Sequence, residues 1–582
     1  MSDGSLPTPT RSSVTGGSRL PGAIALAAAL VIIAIAIWGD LPASVSASLA
    51  SLTGEEDLWE QIKGTGALAL LSLQGAIETE PLTPMKHSGL SPYGINTFLE
   101  QEAELEKVER SLRMIADAGF AWIRQEFPWE DIEISAKGDY WDHRWDRNAW
   151  EKYDRIVELA RAHGLEIIAR LDNPPAWSRS VGNAAGWTLA PPDDYQDYGD
   201  YVYAVVSRYR GQIRYYQIWN EPNIYPEWGD QPVSPESYVK LLQIAYRRAK
   251  EADPDCVIVA AGLAQTLETG PRNLSDLEYL QRMYAAGAKG YFDVMGAMVY
   301  GLWTGPTDRR TSPERTNFGR VRLLREIMVA NADADIPIWA TEVGWNAVPA
   351  DFEGTAVYGR TTERKQAEYA VKAYERAATE WPWLGVMNYW FFRRPSDAER
   401  DQSWYYFRMV EPDFTPLPVY GSMLDLMQRP PAVHYGYHQE DHWALHYDGE
   451  WNKGESDAAV LGSFRTGEPG AELLFTFEGS GLDLVALDPD SVDGLQVTLD
   501  GRLVRGLEPG RAPSNDAPTI RVASRLRTGT HTVHVTVLSG RLPLDGIVVY
   551  QESSLVTYAI PAALAALAGA ALAIWLRARS RS

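Results

Sequence analysis

An α/β chain in which a (β/α)8 barrel is followed by an all-β sandwich, with a transmembrane helix on either side, is the architecture this sequence predicts. Three patterns carry it. Eight short apolar runs alternate with amphipathic stretches between residues 91 and 430, the helical period stops past Pro431, and an uncharged apolar segment lies near each terminus. At 582 residues the chain is too long for one ordinary domain, and 45% hydrophobic against 23% charged residues gives it a core large enough to rule out wholesale disorder.

The first apolar segment, 20–38, runs from Leu20 to Trp38 without a charge, about the length that crosses a bilayer core. Arg11 and Arg19 precede it and Asp40, Glu55, Glu56 and Asp57 follow it, whereas Arg577, Arg579 and Arg581 close the second segment, 555–576. The bias of basic residues places the N-terminal segment 1–19 and the basic tail 577–582 in the cytoplasm, with everything between outside. A cleaved signal peptide is the alternative reading of the first run, with Val45-Ser46-Ala47 as its cleavage site. Residues 41–90 read as a mixed stalk that ends in turn-rich sequence. Within it, Gly66 to Ile77 is too short to span and reads as a packed or interfacial helix.

From 91 to 430 the strand candidates are Tyr93–Phe98, Ala121–Arg124, Glu166–Leu171, Tyr215–Trp219, Val257–Gly262, Val294–Tyr300, Ile338–Thr341 and Val386–Phe391. Helical stretches such as EAELEKVERSLRMIADAG and AWEKYDRIVELARAHG separate them, each with a Gly stop. Eight βα units fit a TIM barrel better than an open sheet, and no GxGxxG loop follows the first strand to suggest a dinucleotide fold. Residues 434–553 alternate in strand fashion in ELLFTFEG, LQVTLDG and HTVHVTV, with Gly, Pro and Asp turns.

Composition narrows the function. With 54 basic and 77 acidic residues the formal charge is −23, which repels nucleic acid. The single cysteine, Cys256, excludes an internal disulfide and two-cysteine zinc sites, and reads as a buried small hydrophobe. The aromatic set of 21 Trp and 29 Tyr against 13 Phe favours amphipathic rings, which stack well on flat hydroxylated partners.

In barrels of this kind the strand ends at the C-terminal face build the site. The fourth strand ends in Trp219-Asn220-Glu221-Pro222-Asn223 and the seventh in Thr341-Glu342-Val343-Gly344-Trp345, so one carboxylate ends each of two strands across the mouth. Glycosidic bond hydrolysis needs such a pair, one to protonate the leaving oxygen and one to attack the sugar or activate water.

WNEPN and TEVGW, in register with eight strands, resemble the signatures of the clan A glycoside hydrolases, most of all family 39 and next family 5. The resemblance covers roughly residues 93–425. It implies a retaining mechanism with Glu221 as general acid/base and Glu342 as nucleophile, the two carboxyls standing about 5–5.5 Å apart. It further implies Asn220 on the sugar 2-hydroxyl and Trp390 as the floor of the reactive subsite. Arg124 at the end of strand two is expected to favour the ionised Glu342, and Tyr300 to donate to it, whereas Glu221 is expected to keep its proton beside a second carboxylate. Trp177, Trp303 and Tyr225 follow strand ends at the same face and are candidates for stacking on further sugar rings. One departure is Met298, where many clan members have His, since a thioether donates no hydrogen bond.

Neither metal nor cofactor is required by this chemistry. His434, His438, His442 and His446, spaced by four, would form a metal stripe only on a helix, and Gly436 with Pro430-Pro431 argues against one. Arg309, Arg310, Arg393 and Arg394 are expected to be solvated surface charges rather than contacts to an acidic sugar. The sandwich resembles galactose-binding-like modules and serves either sugar binding or spacing. The reading is therefore a glycosidase that acts on a carbohydrate at the outer face of the cell membrane. A transglycosidase of exopolysaccharide processing and a non-catalytic carbohydrate-binding scaffold are the alternatives.

Overall fold

The computed structural model describes residues 49–71, 75–180 and 189–551. Both apolar segments expected to span a membrane, 20–38 and 555–576, lie outside these residues, and among the described residues no helix is long and apolar enough to cross one. The described residues form two compact units, one containing 55–71 and 75–76, the other 51–54 and 77–551. The smaller unit carries the helix Leu58–Leu71, started by Asp57, whose carboxylate accepts from the amides of Trp59 at 2.9 Å and Glu60 at 3.1 Å. This helix begins earlier than the apolar stretch 66–77 suggested.

The larger unit opens with the barrel. Its strands are β1 (Tyr93–Thr97), β2 (Trp122–Pro128), β3 (Glu166–Asp172), β4 (Tyr215–Ile218), β5 (Val257–Ala260), β6 (Met295–Met298), β7 (Ile338–Val343) and β8 (Leu384–Tyr389), all parallel. They run β5-β4-β3-β2-β1-β8-β7-β6 around the sheet, and parallel bridges Val259–Val294 and Leu263–Ala297 join β5 to β6 and close it. Each strand is followed by one long helix: α1 (Leu105–Ala118), α2 (Glu151–Ala162), α3 (Tyr195–Arg208), α4 (Pro235–Ala252), α5 (Asp276–Ala285), α6 (Val321–Ala330), α7 (Glu363–Glu380) and α8 (Pro418–Met427). Local chemistry sets their ends. Ser234 caps α4 ahead of Pro235, and Gly119 ends α1 at φ +103° where a Cβ would meet Met427 at 2.9 Å.

Alternation sorts each strand into an outer face packed on helices and an inner face that fills the barrel. Ile123 and Phe127 join the helix-facing core, whereas Trp122 turns inward with Tyr215 and Trp339. These three rings, with centroids 5.0, 5.3 and 5.6 Å apart, plug the N-terminal end of the barrel. The preceding segment closes over that end, because Ser91 and His87 carbonyls accept from the indoles of Trp122 at 2.8 Å and Trp339 at 3.0 Å. Above the plug the inner face turns polar.

The β-domain has two antiparallel sheets. Its strands are β9 (Gly436–Gln439), β10 (His446–Asp448), β11 (Trp451–Glu455), β12 (Ser463–Gly467), β13 (Glu472–Gly479), β14 (Gly481–Ala486), β15 (Leu495–Leu499), β16 (Arg502–Leu503), β17 (Glu508–Arg511), β18 (Pro518–Ala523), β19 (Gly529–Val537) and β20 (Leu542–Tyr550). One sheet runs β11-β12-β20-β14-β18-β17 with β9 also on β20, the other β10-β13-β19-β15-β16, and an aliphatic core fills the space between them. The domain meets the barrel at its plugged end, where Trp443 sets its ring edge on Tyr93 at 6.0 Å and its amide donates to Gly89 at 2.9 Å. His438 lies on β9, not on a helix, and packs against His442 at 4.7 Å between ring centroids. Burial pushes His438 down to about 4, and among the described residues no group of acidic, His or Cys side chains is arranged to hold a metal ion.

The expectation of solvated arginines needs correction. Arg310, Arg393 and Arg394 are buried in ion pairs with Asp308 (2.8 Å), Glu102 (2.6 Å) and Glu399 (2.9 Å), whereas Arg309 is exposed as expected and pairs with Glu380 at 2.5 Å. Arginine stems bury readily when the charge is paired, and Arg394 also stacks 3.6 Å from the centre of the Phe98 ring.

Candidate active site

The polar layer above the plug is organised by Arg124. Its inward phase on β2 follows from Trp122, two residues earlier. Only 2% exposed, it donates from Nη1 to Glu342 Oε1 at 3.0 Å and Asn96 Oδ1 at 2.6 Å, from Nε to Gln217 Oε1 at 2.7 Å, and from Nη2 to Asn220 Oδ1 at 2.8 Å. One guanidinium thus ties β1, β2, β4, the β4 end and β7 together. Charge-assisted bonds of this kind are about twice as strong as neutral ones, and the fork fixes direction as well as distance.

Glu342 lies within β7, with Oε1 on Arg124 and Oε2 accepting from the Tyr300 hydroxyl at 2.5 Å. Burial first and Glu342 second push Tyr300 well above its usual range, so it remains a donor. Glu221 is held differently. It follows β4 on a sharply turned chain, with Trp219 at φ +72° and Glu221 at φ +36°, and its amide donates to Gly262 at 3.2 Å. Positive φ at two non-glycine residues is a conformation that the surrounding structure has to hold. Its carboxyl is pushed well above the carboxylate range, by burial first, then by the charges of Glu342 and Glu227, with Arg124 and Arg170 opposing. The repulsion read from the sequence is present, but burial is the larger cause.

The expected residues divide into two groups. Glu342, Arg124, Asn220 and Tyr300 are joined by hydrogen bonds at the C-terminal end of the barrel, and the charge of Glu342 acts on Glu221. Trp390 directly follows β8 with its amide on Val343 at 2.9 Å and packs beside Phe98 at 5.5 Å, in a cluster with Tyr300 and Phe407. The outer aromatics are more scattered. Trp303 is 63% exposed, Tyr225 is stacked under Arg272 at 3.8 Å, and Trp177 is bound inward by its indole on Glu133 at 2.8 Å and its edge against Trp129. Met298 is buried beside Thr341, whose hydroxyl lies 3.2 Å from the Ala297 carbonyl and 3.3 Å from the Met298 sulfur, so the one hydroxyl proton has two acceptors in reach.

Several residues escaped the sequence reading. Asn96 and Gln217 orient Arg124, and both stand in the inward phase of short strands, a signal that alternation supplies. Glu126, Arg170 and Asp172 form an ion-paired row on β2 and β3, with Arg170 2.7 Å from Glu126 and 2.8 Å from Asp172. Glu227 and Tyr358 come from loops, where no period exists to mark them.

No family model and no curated protein matches this chain. Among solved structures it is similar to a family 39 glycoside hydrolase from Bacteroides cellulosilyticus (18% identity, TM-score 0.44, covering 79% of this chain and 82% of that one). It is likewise similar to a family 39 β-xylosidase from Caulobacter crescentus (13% identity, TM-score 0.42, 79% and 99% covered) and to a family 5 enzyme from Streptomyces cattleya (16% identity, TM-score 0.44, 59% and 83% covered). The chain has a closed eight-stranded parallel barrel with Asn220-Glu221 after β4 and Glu342 on β7.

Proposed function

We propose that this chain is a retaining glycoside hydrolase that cleaves O-glycosidic bonds of a poly- or oligosaccharide by double displacement. The observation that carries the reading is a pair of unlike glutamates at strand ends of one barrel mouth, Glu342 gripped by Arg124 and Tyr300, and Glu221 pushed above the carboxylate range by burial and by the charge of Glu342. Glu342 attacks the anomeric carbon while Glu221 gives its proton to the departing oxygen. The glycosyl ester removes the charge of Glu342, so Glu221, now a carboxylate, takes a proton from the water that attacks the ester. That returns both side chains to their starting states. In this reading Asn220, whose carbonyl oxygen accepts from Arg124, takes the 2-hydroxyl and Trp390 the ring face.

Screening aryl glycosides and extracellular polysaccharides tests the activity, and NMR of the first-formed anomer tests retention. Inverted product, or full activity in both Glu342→Ala and Glu221→Ala, overturns the reading. Anchoring at the outer face of the cell membrane, through 20–38 and 555–576, is part of the proposal and rests on the sequence; recovery of the full-length protein in the alkali-washed membrane fraction checks it.

A further inference from the structure

We propose that Tyr358 and Trp303 form the platform of a second sugar subsite, which makes a saccharide chain, rather than a glycoside of one sugar unit, the preferred substrate. The inference rests on the hydrolase reading and deepens it.

The platform begins beside the proposed nucleophile. Tyr300, whose hydroxyl donates to Glu342 at 2.5 Å, sets its ring edge to face with Phe407, the centroids 5.4 Å apart. Phe407 meets Tyr358 in the same way at 6.3 Å. Tyr358 thus stands two ring contacts away from the phenol that holds Glu342. The ring between them is fixed, because Phe407 is 2% exposed and packs on Gly344, two residues past Glu342, where a Cβ would come within 3.1 Å of it.

Trp303 joins from another loop. Tyr358 follows β7 and Trp303 follows β6, and the fold presses the two segments together. Gly359, at φ +81°, has no space for a Cβ, which would stand 2.0 Å from the Leu302 carbonyl oxygen. Each loop is also tied elsewhere. The Trp345 indole donates to the Thr304 carbonyl at 2.8 Å, and the Thr361 amide donates to the Asn346 carbonyl at 2.8 Å. The seam between the loops is therefore a fixed piece of surface.

Its rings are left open. Trp303 is 63% exposed and Tyr358 41%, with Val357 next in the chain at 55%, whereas Phe407 and Trp345 are buried. Single exposed apolar residues are ordinary, but a group of them on touching segments, next to a polar site, marks a surface that binds something. An indole or phenol face takes the C–H face of a pyranose, and the polar edge of either ring serves the sugar hydroxyls. The row of rings starts at the residue bonded to Glu342, so what lies on its far end belongs to the same molecule as the sugar under attack. That occupant is the next unit of a saccharide chain.

The test compares two substrates built from the sugar that screening identifies: its glycosyl fluoride, which has no second ring to stack, and its tetrasaccharide. Tyr358→Ala and Trp303→Ala are each expected to lower the ratio of kcat/KM on the tetrasaccharide to that on the fluoride about tenfold, chiefly through KM. Tyr358→Phe, which keeps the ring, is expected to hold the ratio within about twofold of the wild type. Equal losses on both substrates in the alanine variants, or a fall of the ratio in Tyr358→Phe as large as in Tyr358→Ala, overturn the inference. Should an alanine variant fail to fold, Tyr358→Leu and Trp303→Leu, apolar but without a flat ring, carry the same comparison. If no glycoside is cleaved, or Glu342→Ala remains active, the hydrolase reading falls and takes this inference with it. If cleavage needs Glu342 while the ratio stays constant in every variant, only the platform falls.

Discussion

The two halves of the site solve opposite problems with the same side chain. Glu342 sits inside a regular strand, one oxygen on a buried guanidinium and the other on a phenol. Glu221 stands past the end of its strand on left-handed backbone, in a buried setting with two further carboxyls near it. Donors are directed at Glu342, whereas burial and the neighbouring negative charges of Glu342 and Glu227 push Glu221 above the carboxylate range against the opposing charges of Arg124 and Arg170. The backbone differs in the same way, regular at Glu342 and left-handed at Trp219 and Glu221.

Variants that equalise the halves are the sharpest probes. Glu342→Ala removes the proposed nucleophile and is expected to cost about 10⁵-fold in kcat. Glu221→Ala leaves the attack intact, so its loss should depend on the substrate, about 10³-fold for poor leaving groups and far less for activated ones such as dinitrophenyl; equal losses on both would contradict the division of roles. Tyr300→Phe removes one of two donors from Glu342 and is expected to lower kcat about tenfold, with KM little changed. The smallest effect concerns stability. Because Glu221 is raised in the folded state, its contribution is favourable below the unfolded value near 4.5 and is lost as pH rises toward the folded one. Glu221→Gln should therefore unfold at a higher temperature than the wild type, by about 1 kcal/mol in stability, and the gap should widen from pH 5 to pH 8. A constant gap would show that burial of charge is not its source.

Much of this was legible from the sequence because barrel strands report themselves twice, by their apolar runs and by the polar motifs at their ends. All eight strands lie where those runs lie, and the motifs after the fourth and seventh locate both glutamates. Arg124 was legible as a strand-end cation, but its fourfold grip was not, since Asn96 and Gln217 are polar residues inside apolar strands and only the inward phase explains them. Tyr358 was illegible for a different reason. Its place depends on Phe407 and on the press of Gly359 against Leu302, contacts between loops without periodicity that lie far apart in the chain. The buried arginines show the same limit, because composition tells how many charges exist and only the fold tells which are paired.

The indole and phenol stack of Trp122, Tyr215 and Trp339 makes the barrel a vessel with one opening. A saccharide cannot thread through it. Under the proposed reading, substrate, departing alcohol and attacking water all use the same rim, at the C-terminal end of the strands where Glu221 and Glu342 stand.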